Sequence, residues 1–567
     1  MADVRHQDCQ QYAQQCAKGR RASGAVVMAV VAGLLAPPAT AALVENLTMG
    51  NAKALALGNA VTADPPGIDS IHFNPAGLAR LAGRQYELKV LAAAMSFTVE
   101  FGEHDAKSQQ MIDAFGYEDD VVGQTSETST IGLRLPYQEG IYEWPAPMLV
   151  VPLGGASYRP PNSNITFATA VYAPMAAGYI RDEDDPARFM GQYLSLAKIT
   201  YFSPSVGIEI NDTLSVGAAI HFSWQGVTAG TRIRVPNFAL AFGEQLTKQL
   251  QDQNLCPNPG DPEPPVNLCG IDQEIARLGP YTDAASLEFD AETGMVTGVN
   301  LGVLWQPVSW FTWGAVYQFE SSADLDGTYR LGYSDEWVNF FTGLSQSDMG
   351  RALNVLIPMP TGQADSPYGR GLEQGDAVIN VITPAHFATG ISLQVTEQWK
   401  FNMDAKWTDW GAWDGLTVKF DQALDFTKLA SIVSEYSELT ELTIPRHYAS
   451  VWNWAFGAEY QYNQRLALRF GYEPRKSSIP DDKQDVLLPL GDADLYTGGF
   501  EYKMGEGQLL AVGVGYLVAS ADVPANSSTN ANSTDDYHNF IYNPYAGTAF
   551  ESSAEAFLLE LSYRSQF

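Results

Sequence analysis

The sequence predicts an all-β protein, a transmembrane antiparallel β-barrel. Three observations carry this expectation. Strict apolar/polar alternation recurs in runs approaching the ~10 residues that cross a bilayer at a tilt. Connections between the runs alternate between tight turns and long segments. Beyond an amino-terminal targeting segment, no run of ~18 apolar residues exists that would cross as a helix. A chain that leaves the cytoplasm without helical spans can cross a bilayer only as a closed barrel.

The targeting segment is read from its three parts. Lys18, Arg20 and Arg21 form a basic end, Gly24 to Ala36 is apolar and uncharged, and Ala39-Thr40-Ala41 supplies small residues for cleavage after Ala41 or Ala42. Residues 1–42 are therefore expected to be a signal peptide. The stretch before Lys18 is long for such a leader, which leaves Met28 or an upstream site as an alternative start.

The alternation is clearest toward the carboxy terminus. Trp452, Trp454, Phe456, Ala458, Tyr460 and Tyr462 make one face, and Asn453, Ala455, Gly457, Glu459 and Gln461 the other. After Asn463-Gln464 the pattern restarts, with Leu466, Leu468, Phe470 and Tyr472 opposite Arg465, Ala467, Arg469 and Gly471. Residues two apart in a strand share a face, so one side is apolar and the other polar or small. Trp399 to Thr408, Leu214 to Phe222 and Trp313 to Glu320 repeat the arrangement. The last run puts Phe557, Leu559, Leu561, Tyr563 and the terminal Phe567 on one face, the kind of end that outer-membrane assembly machinery reads.

Tight turns fall at Asn211-Asp212, Gln306 to Ser309, Glu397-Gln398, Asn463-Gln464 and Gly505 to Gly507. Long segments fall near 228–290, 321–383, 411–447, 475–494 and 520–554, the expected external loops. About fifteen candidate strands result. Bacterial single-chain barrels use even numbers, so one is surplus, the weakest lying near 127–136 and 147–157.

Composition narrows the function classes. Aromatic residues make 11% of the chain and charged residues only 17%, as suits a wall facing lipid. The net charge of −32 argues against a nucleic-acid partner, which needs clustered Lys and Arg. The acidity reads as solvated loops, or as a surface holding divalent cations beside lipopolysaccharide. Cys256 and Cys269 flank a Pro-rich stretch and are expected to form one loop disulfide; the stretch contains no His, and two Cys are too few for zinc. No cofactor or metal is expected. Neither a Gly-x-Ser-x-Gly elbow nor a His-Glu-x-x-His site is present. The Asp182 to Asp185 run reads as a solvated loop before a calcium site, and His221 lacks companions for a barrel lipase.

The segment Asn46 to Leu81 carries a family resemblance. It contains Gly58-Asn59-Ala60, Asp64-Pro65-Pro66 and Asn74-Pro75-Ala76-Gly77-Leu78. It resembles the amino-terminal hatch of the FadL-type outer-membrane transporters of long-chain fatty acids and other hydrophobic compounds. Further echoes follow in family order: Pro204-Ser205 with Asn211-Asp212, Gly298 to Gln306, Trp407-Thr408-Asp409-Trp410, and Pro480 with Leu490-Gly491-Asp492. The resemblance implies a fourteen-stranded barrel, here 85–567 with long extracellular loops, whose lumen is plugged by a hatch, here 43–84. It implies passive diffusion of long-chain fatty acids across the bacterial outer membrane, with aromatic hydrocarbons or alkanes as the alternative cargo. A plug disfavours a general porin. The partners implied are the hydrophobic cargo, membrane lipid and lipopolysaccharide.

Cargo of this kind needs apolar stations, because each CH₂ prefers an apolar environment by about 0.8 kcal/mol. Two loop stripes at helical spacing are candidates: Phe238, Phe242, Leu246 and Leu250, then Trp337, Phe340, Phe341 and Leu344. Either they line an external groove or they pack the loops together. Pro145, Pro147, Pro152, Gly154 and Gly155 punctuate the run to Tyr158. They point to a kinked third strand with a lateral exit beside it, or to a loop flanking a short strand. Lys400, Lys406, Arg465, Arg469 and Lys503 share the polar faces of their strands, and none is assigned to a cargo carboxylate.

Overall fold

A computed structural model describes residues 49–115, 121–128, 133–137, 140–144, 148–235, 237–257, 283–346, 348–360, 371–535 and 543–567. The expected signal peptide, Pro147 and Cys269 lie outside them. Cys256 is buried and disulfide-bonded.

Twenty ladder segments make fourteen antiparallel strands, six of them interrupted. They are β1 Arg84–His104; β2 Thr125–Thr128 and Leu149–Tyr158; β3 Ile165–Ile180; β4 Tyr193–Phe202 and Ser205–Asn211; and β5 Leu214–Ile233. Next come β6 Ala285–Val308; β7 Phe311–Gln318 and Ser321–Tyr333; β8 Leu372–Thr383 and His386–Gln394; and β9 Trp399–Thr408 and Gly415–Phe420. The last are β10 Glu441–Pro445 and Val451–Gln461; β11 Leu466–Arg475; β12 Asp492–Gly505; β13 Gln508–Val523; and β14 Thr548–Gln566. The barrel closes where β1 pairs β14 from Gln85↔Gln566 to Phe101↔Phe550. Joining the last strand to the first closes the sheet on itself, the condition for a strand-built membrane span.

The faces are sorted as the alternation predicts. On β9, Trp399, Phe401 and Met403 are exposed on the outer face, while Asn402, Asp404 and Lys406 between them are buried inside. On β14, Phe557 and Leu561 are exposed while Glu560 and Ser562 are buried. This inverts a soluble protein, because lipid is the apolar solvent and the lumen holds the polar groups. The five tight turns fall at strand ends as read, except that β6 runs through Gln306 to Val308 and leaves Ser309 and Trp310 as its turn. The strands are longer than the alternation alone suggests, and reach into segments read as loop: β6 begins at Ala285 and β7 runs to Tyr333.

The surplus strand resolves physically. The weak runs near 127–136 and 147–157 contribute two pieces of one strand, β2, both paired with β1: Thr125–Thr128 against Phe97–Glu100, and Leu149–Tyr158 against Arg84–Ala93. Between them, Leu133–Tyr137 and Gly140–Trp144 form a separate hairpin. Its Arg134 donates a backbone N–H to Ser195 Oγ at 2.9 Å and lays its guanidinium 4.2 Å from the Tyr193 ring centre.

Candidate functional site

Residues 49–83 lie against inward-facing groups of the wall and are held by directed bonds. Asn51 caps the helix Ala52–Ala56 and donates to Asp69 Oδ2 at 2.7 Å; Asp69 in turn pairs with Lys89 of β1 at 2.7 Å. The Gly50 N–H donates to Glu560 of β14, the Asn59 amide to Glu473 of β11, and the Thr62 N–H to Asp404 of β9. Asp64 lies 2.7 Å from Lys400 and 2.9 Å from Lys53. Burial would raise the Asp64 carboxyl, but the Lys400 and Lys53 ammonium groups outweigh it and hold the group far below the usual carboxylate range. A depressed carboxylate contributes its stability above its ordinary titration range, and loses it only as pH falls through the lowered value, so this pair survives mild acid.

The Asn74-Pro75-Ala76 motif has a receptor built from absent side chains. Asn74 Nδ2 donates to Thr62 O at 2.9 Å and to Val303 O of β6 at 3.1 Å, and Asn74 Oδ1 accepts from the Ala76 N–H. Pro75 follows at the start of a helical turn, Pro75–Arg80, where its missing N–H costs nothing. Beneath it Gly207, Gly217 and Gly302 stand in register across β4, β5 and β6. A Cβ on Gly217 would come 2.2 Å from the Pro75 carbonyl carbon, and one on Gly302 would come 2.1 Å from Asn74 Oδ1. The glycines let the motif's backbone approach the wall where any side chain would stand.

Above this segment the inward faces change from polar to apolar. A cavity of about 90 Å³ is lined by Phe97 of β1, Tyr179 of β3, Leu194 of β4, Ile379 of β8, Trp413 in the interruption of β9 and Leu487 of the β11–β12 loop, among others. The polar atoms of two of these aromatics are bonded to backbone carbonyls: Tyr179 Oη donates to Leu487 O and Trp413 Nε1 to Ile382 O. A second cavity of about 80 Å³ shares Met175, Trp410 and Trp413 with the first and adds His72, Lys198, Gln318, Thr383 and His386.

The wall beside these cavities is incompletely laddered. β2 pairs β3 only from Gly154↔Val171 to Tyr158↔Phe167. Beyond Val171, β3 pairs β4 from Tyr172 to Ile180, and among the described residues no ladder joins it to β2. The β3–β4 register shifts between Tyr172 and Met175, at Pro174. Gly154 and Gly155 therefore sit in the last closed rungs, and Pro152 stands two residues beyond them, exposed. The run read as a kinked third strand belongs to β2; the irregularity of the third strand itself is at Pro174.

The chain matches the profile of the outer membrane protein transport proteins (OMPP1/FadL/TodX) over residues 28–567. It belongs to this family. Solved structures of the same fold include a Pseudomonas aeruginosa FadL homologue, 15% identical with a TM-score of 0.60, covering 92% of this chain and 99% of that one. The Ralstonia pickettii toluene transporter TbuX is 16% identical with a TM-score of 0.54, and the P. putida toluene transporter TodX 16% with 0.56; each covers 92% of this chain and 99% of its own. No curated protein matches the chain in sequence. As a FadL/TodX member the chain resides in the bacterial outer membrane and conducts hydrophobic compounds through its barrel; its role is transport, not catalysis.

The loop stripes are placed unequally in this FadL/TodX barrel. Phe238, Phe242, Leu246 and Leu250 do fall on one helix, Asn237–Asp252, with Leu250 half-buried; the other three side chains lie outside the described residues, as does that of Leu344. Trp337 and Phe341 are buried in the helix Asp335–Gln346, ring centres 4.5 Å apart, with Phe340 packed on Phe341 and Tyr333 stacked on Trp337. These four rings form one aromatic cluster, with Phe340 half-buried at its edge. Asp185 is tied into its own turn, accepting from the Ala187 N–H and the Ser126 hydroxyl. Lys400 is spent on Asp64 and on Glu459 of the wall, and Lys406 and Arg469 on the wall carboxylates Glu473 and Glu459. The sequence reading missed the cavity, whose walls come from strands far apart in the chain. A usable signal existed: β8 keeps alternating, but its inward positions near Ile379 and Val381 turn apolar.

Proposed function

We propose that this family member takes up small hydrocarbons of the monoaromatic class, with residues 43–84 as a hatch in the lumen and the β2–β3 gap as a lateral exit. The observation that carries the cargo reading is the apolar cavity beside that gap. An engineered apolar cavity of about 150 Å³ takes one benzene, and the two adjoining cavities here are of about 90 and 80 Å³. That is room for a ring or a few methylenes, and gives no support to an extended long-chain acyl group. The names of TbuX and TodX, both toluene transporters, support the same choice. In this reading cargo enters from the loops, rests among the aromatics, meets the hatch below, and leaves sideways into the bilayer past Met175 and Pro174. The polar lipopolysaccharide leaflet is bypassed, and water is never crossed by apolar surface.

The test is uptake of labelled toluene and labelled oleate by intact cells of a deletion strain complemented with this gene. Toluene uptake restored without oleate uptake is the expected result. Oleate uptake alone would overturn the cargo reading in favour of fatty acids. The external groove has its own test. Changing Phe242 and Leu246 together to Asp is expected to reduce toluene uptake at least ~10-fold with barrel assembly intact, since an apolar side chain buried against cargo contributes about 1.5–3 kcal/mol; unchanged uptake would remove the Asn237–Asp252 helix from the route.

A further inference from the structure

The hydrocarbon reading leaves one buried charge unused. Lys198, on β4, is 7% exposed, and its ammonium reaches across the lumen to β7 and β8. Nζ donates to Thr383 Oγ1 at 2.7 Å and to Ser321 Oγ at 3.3 Å, both neutral groups. Four other buried lumen cations are matched: Lys89 with Asp69, Lys400 with Asp64, Lys406 with Glu473 and Arg469 with Glu459, each at 2.7 Å, while Arg181 beyond β3 is bonded to the carbonyls of Ala187, Gly191 and Val486. Among the described residues no carboxylate pairs with Lys198. Burying an ammonium without a counter-charge is unfavourable, and two hydroxyls do not replace one. An ammonium has three donors, and two are used.

Its position makes the mismatch meaningful. Lys198 lines the second cavity, which is continuous in its walls with the all-apolar one through Met175, Trp410 and Trp413. The lumen thus has an apolar end and, one cavity away, an ammonium with which no carboxylate pairs among the described residues.

We infer that Lys198 is an anion subsite, and that the lumen takes aromatic carboxylates with the ring among Trp410 and Trp413 and the carboxylate on the Lys198 ammonium. The inference rests on the proposed ring-sized cargo and adds a charged class to it. Thr383 and Ser321 hold the ammonium in place between cargoes. A carboxylate arriving there restores neutrality in a site of low dielectric, where a charge-assisted bond is stronger than a neutral one.

Toluene and 4-methylbenzoate share a ring and methyl group and differ by the carboxylate, so they separate the two readings. Both are measured by uptake into complemented cells and by calorimetric binding to the purified full chain in detergent. Lys198→Met is expected to lower 4-methylbenzoate affinity by at least ~30-fold, the low end for truncating a buried charge pair, while toluene is unaffected. Lys198→Arg, which keeps the charge, is expected to retain 4-methylbenzoate binding. Equal handling of 4-methylbenzoate by wild type and Lys198→Met, with toluene transported normally, overturns the subsite and leaves the hydrocarbon reading standing. Lys198-dependent 4-methylbenzoate binding without toluene transport supports the subsite and overturns hydrocarbon as the cargo. Binding of neither compound overturns both.

Discussion

Gly217→Ala is expected to open the barrel to ions. The new Cβ would stand 2.2 Å from the carbonyl carbon of Pro75 and 2.4 Å from the Ala76 nitrogen, both backbone atoms that cannot swing aside as a side chain would. Either the wall or the Asn74-Pro75-Ala76 turn must move. The wall at this point is laddered on both sides, to Gly207 of β4 and Gly302 of β6, so the turn is the part that yields. Moving it breaks the Asn74 bonds to Thr62 O and Val303 O and loosens the helical turn Pro75–Arg80. Overpacking of this kind costs about 1–3 kcal/mol, which shifts a seated-to-unseated equilibrium by roughly 5- to 150-fold. Single-channel recording in a planar bilayer should show open events at least ~10-fold more often than wild type.

Gly298→Ala is the matched control. Gly298 lies four residues from Gly302, the partner of Gly217, on the same face of β6, but a Cβ there meets only His221 Cδ2, at 3.7 Å. Retained barrel assembly, read from heat-modifiable gel mobility, separates unseating from misfolding. If both variants conduct like wild type, residues 49–83 do not close the lumen.

The contrast between these two glycines shows what the sequence could and could not disclose. Which face of each strand meets lipid was legible, because alternation is local and its period is 2. Trp399, Phe401 and Met403 point outward as read, and Asn402 and Asp404 inward. The Asn74-Pro75-Ala76 motif was legible by resemblance. Its receptor was not, because Gly207, Gly217 and Gly302 are scattered over nearly a hundred residues and become one saddle only through strand register. The apolar cavity was hidden for the same reason. β2 was misread as two strands because its interruption is long enough to hold a hairpin of its own. Lys198 went unremarked beside the other cations because its distinction is a missing partner, and pairing is settled in three dimensions.

Bridging β2 to β3 across the unladdered stretch is expected to abolish uptake while sparing binding. Val151 lies on the β2 side and Ala176 on the β3 side, both half-buried against the apolar cluster of the upper lumen. A Val151→Cys/Ala176→Cys variant closed with a bis-maleimide places a covalent strap where no ladder exists. Cargo already among the aromatics can then rest but not leave sideways. Toluene uptake into intact cells should fall by at least ~10-fold, equivalent to about 1.4 kcal/mol on the transport barrier, with calorimetric binding in detergent unchanged. A monofunctional maleimide on the same two cysteines controls for bulk alone. The alternative path runs downward past His72 and the hatch into the polar region around Lys53, Glu459 and Arg469, where paired charges would have to be passed by an apolar ring. Expelling water from those charges without replacing its hydrogen bonds is unfavourable, which is why the strap, rather than the hatch, is expected to be the more severe block. Uptake that survives the strap would exclude the gap, and would oblige the hatch to move out of the cargo's way on every passage.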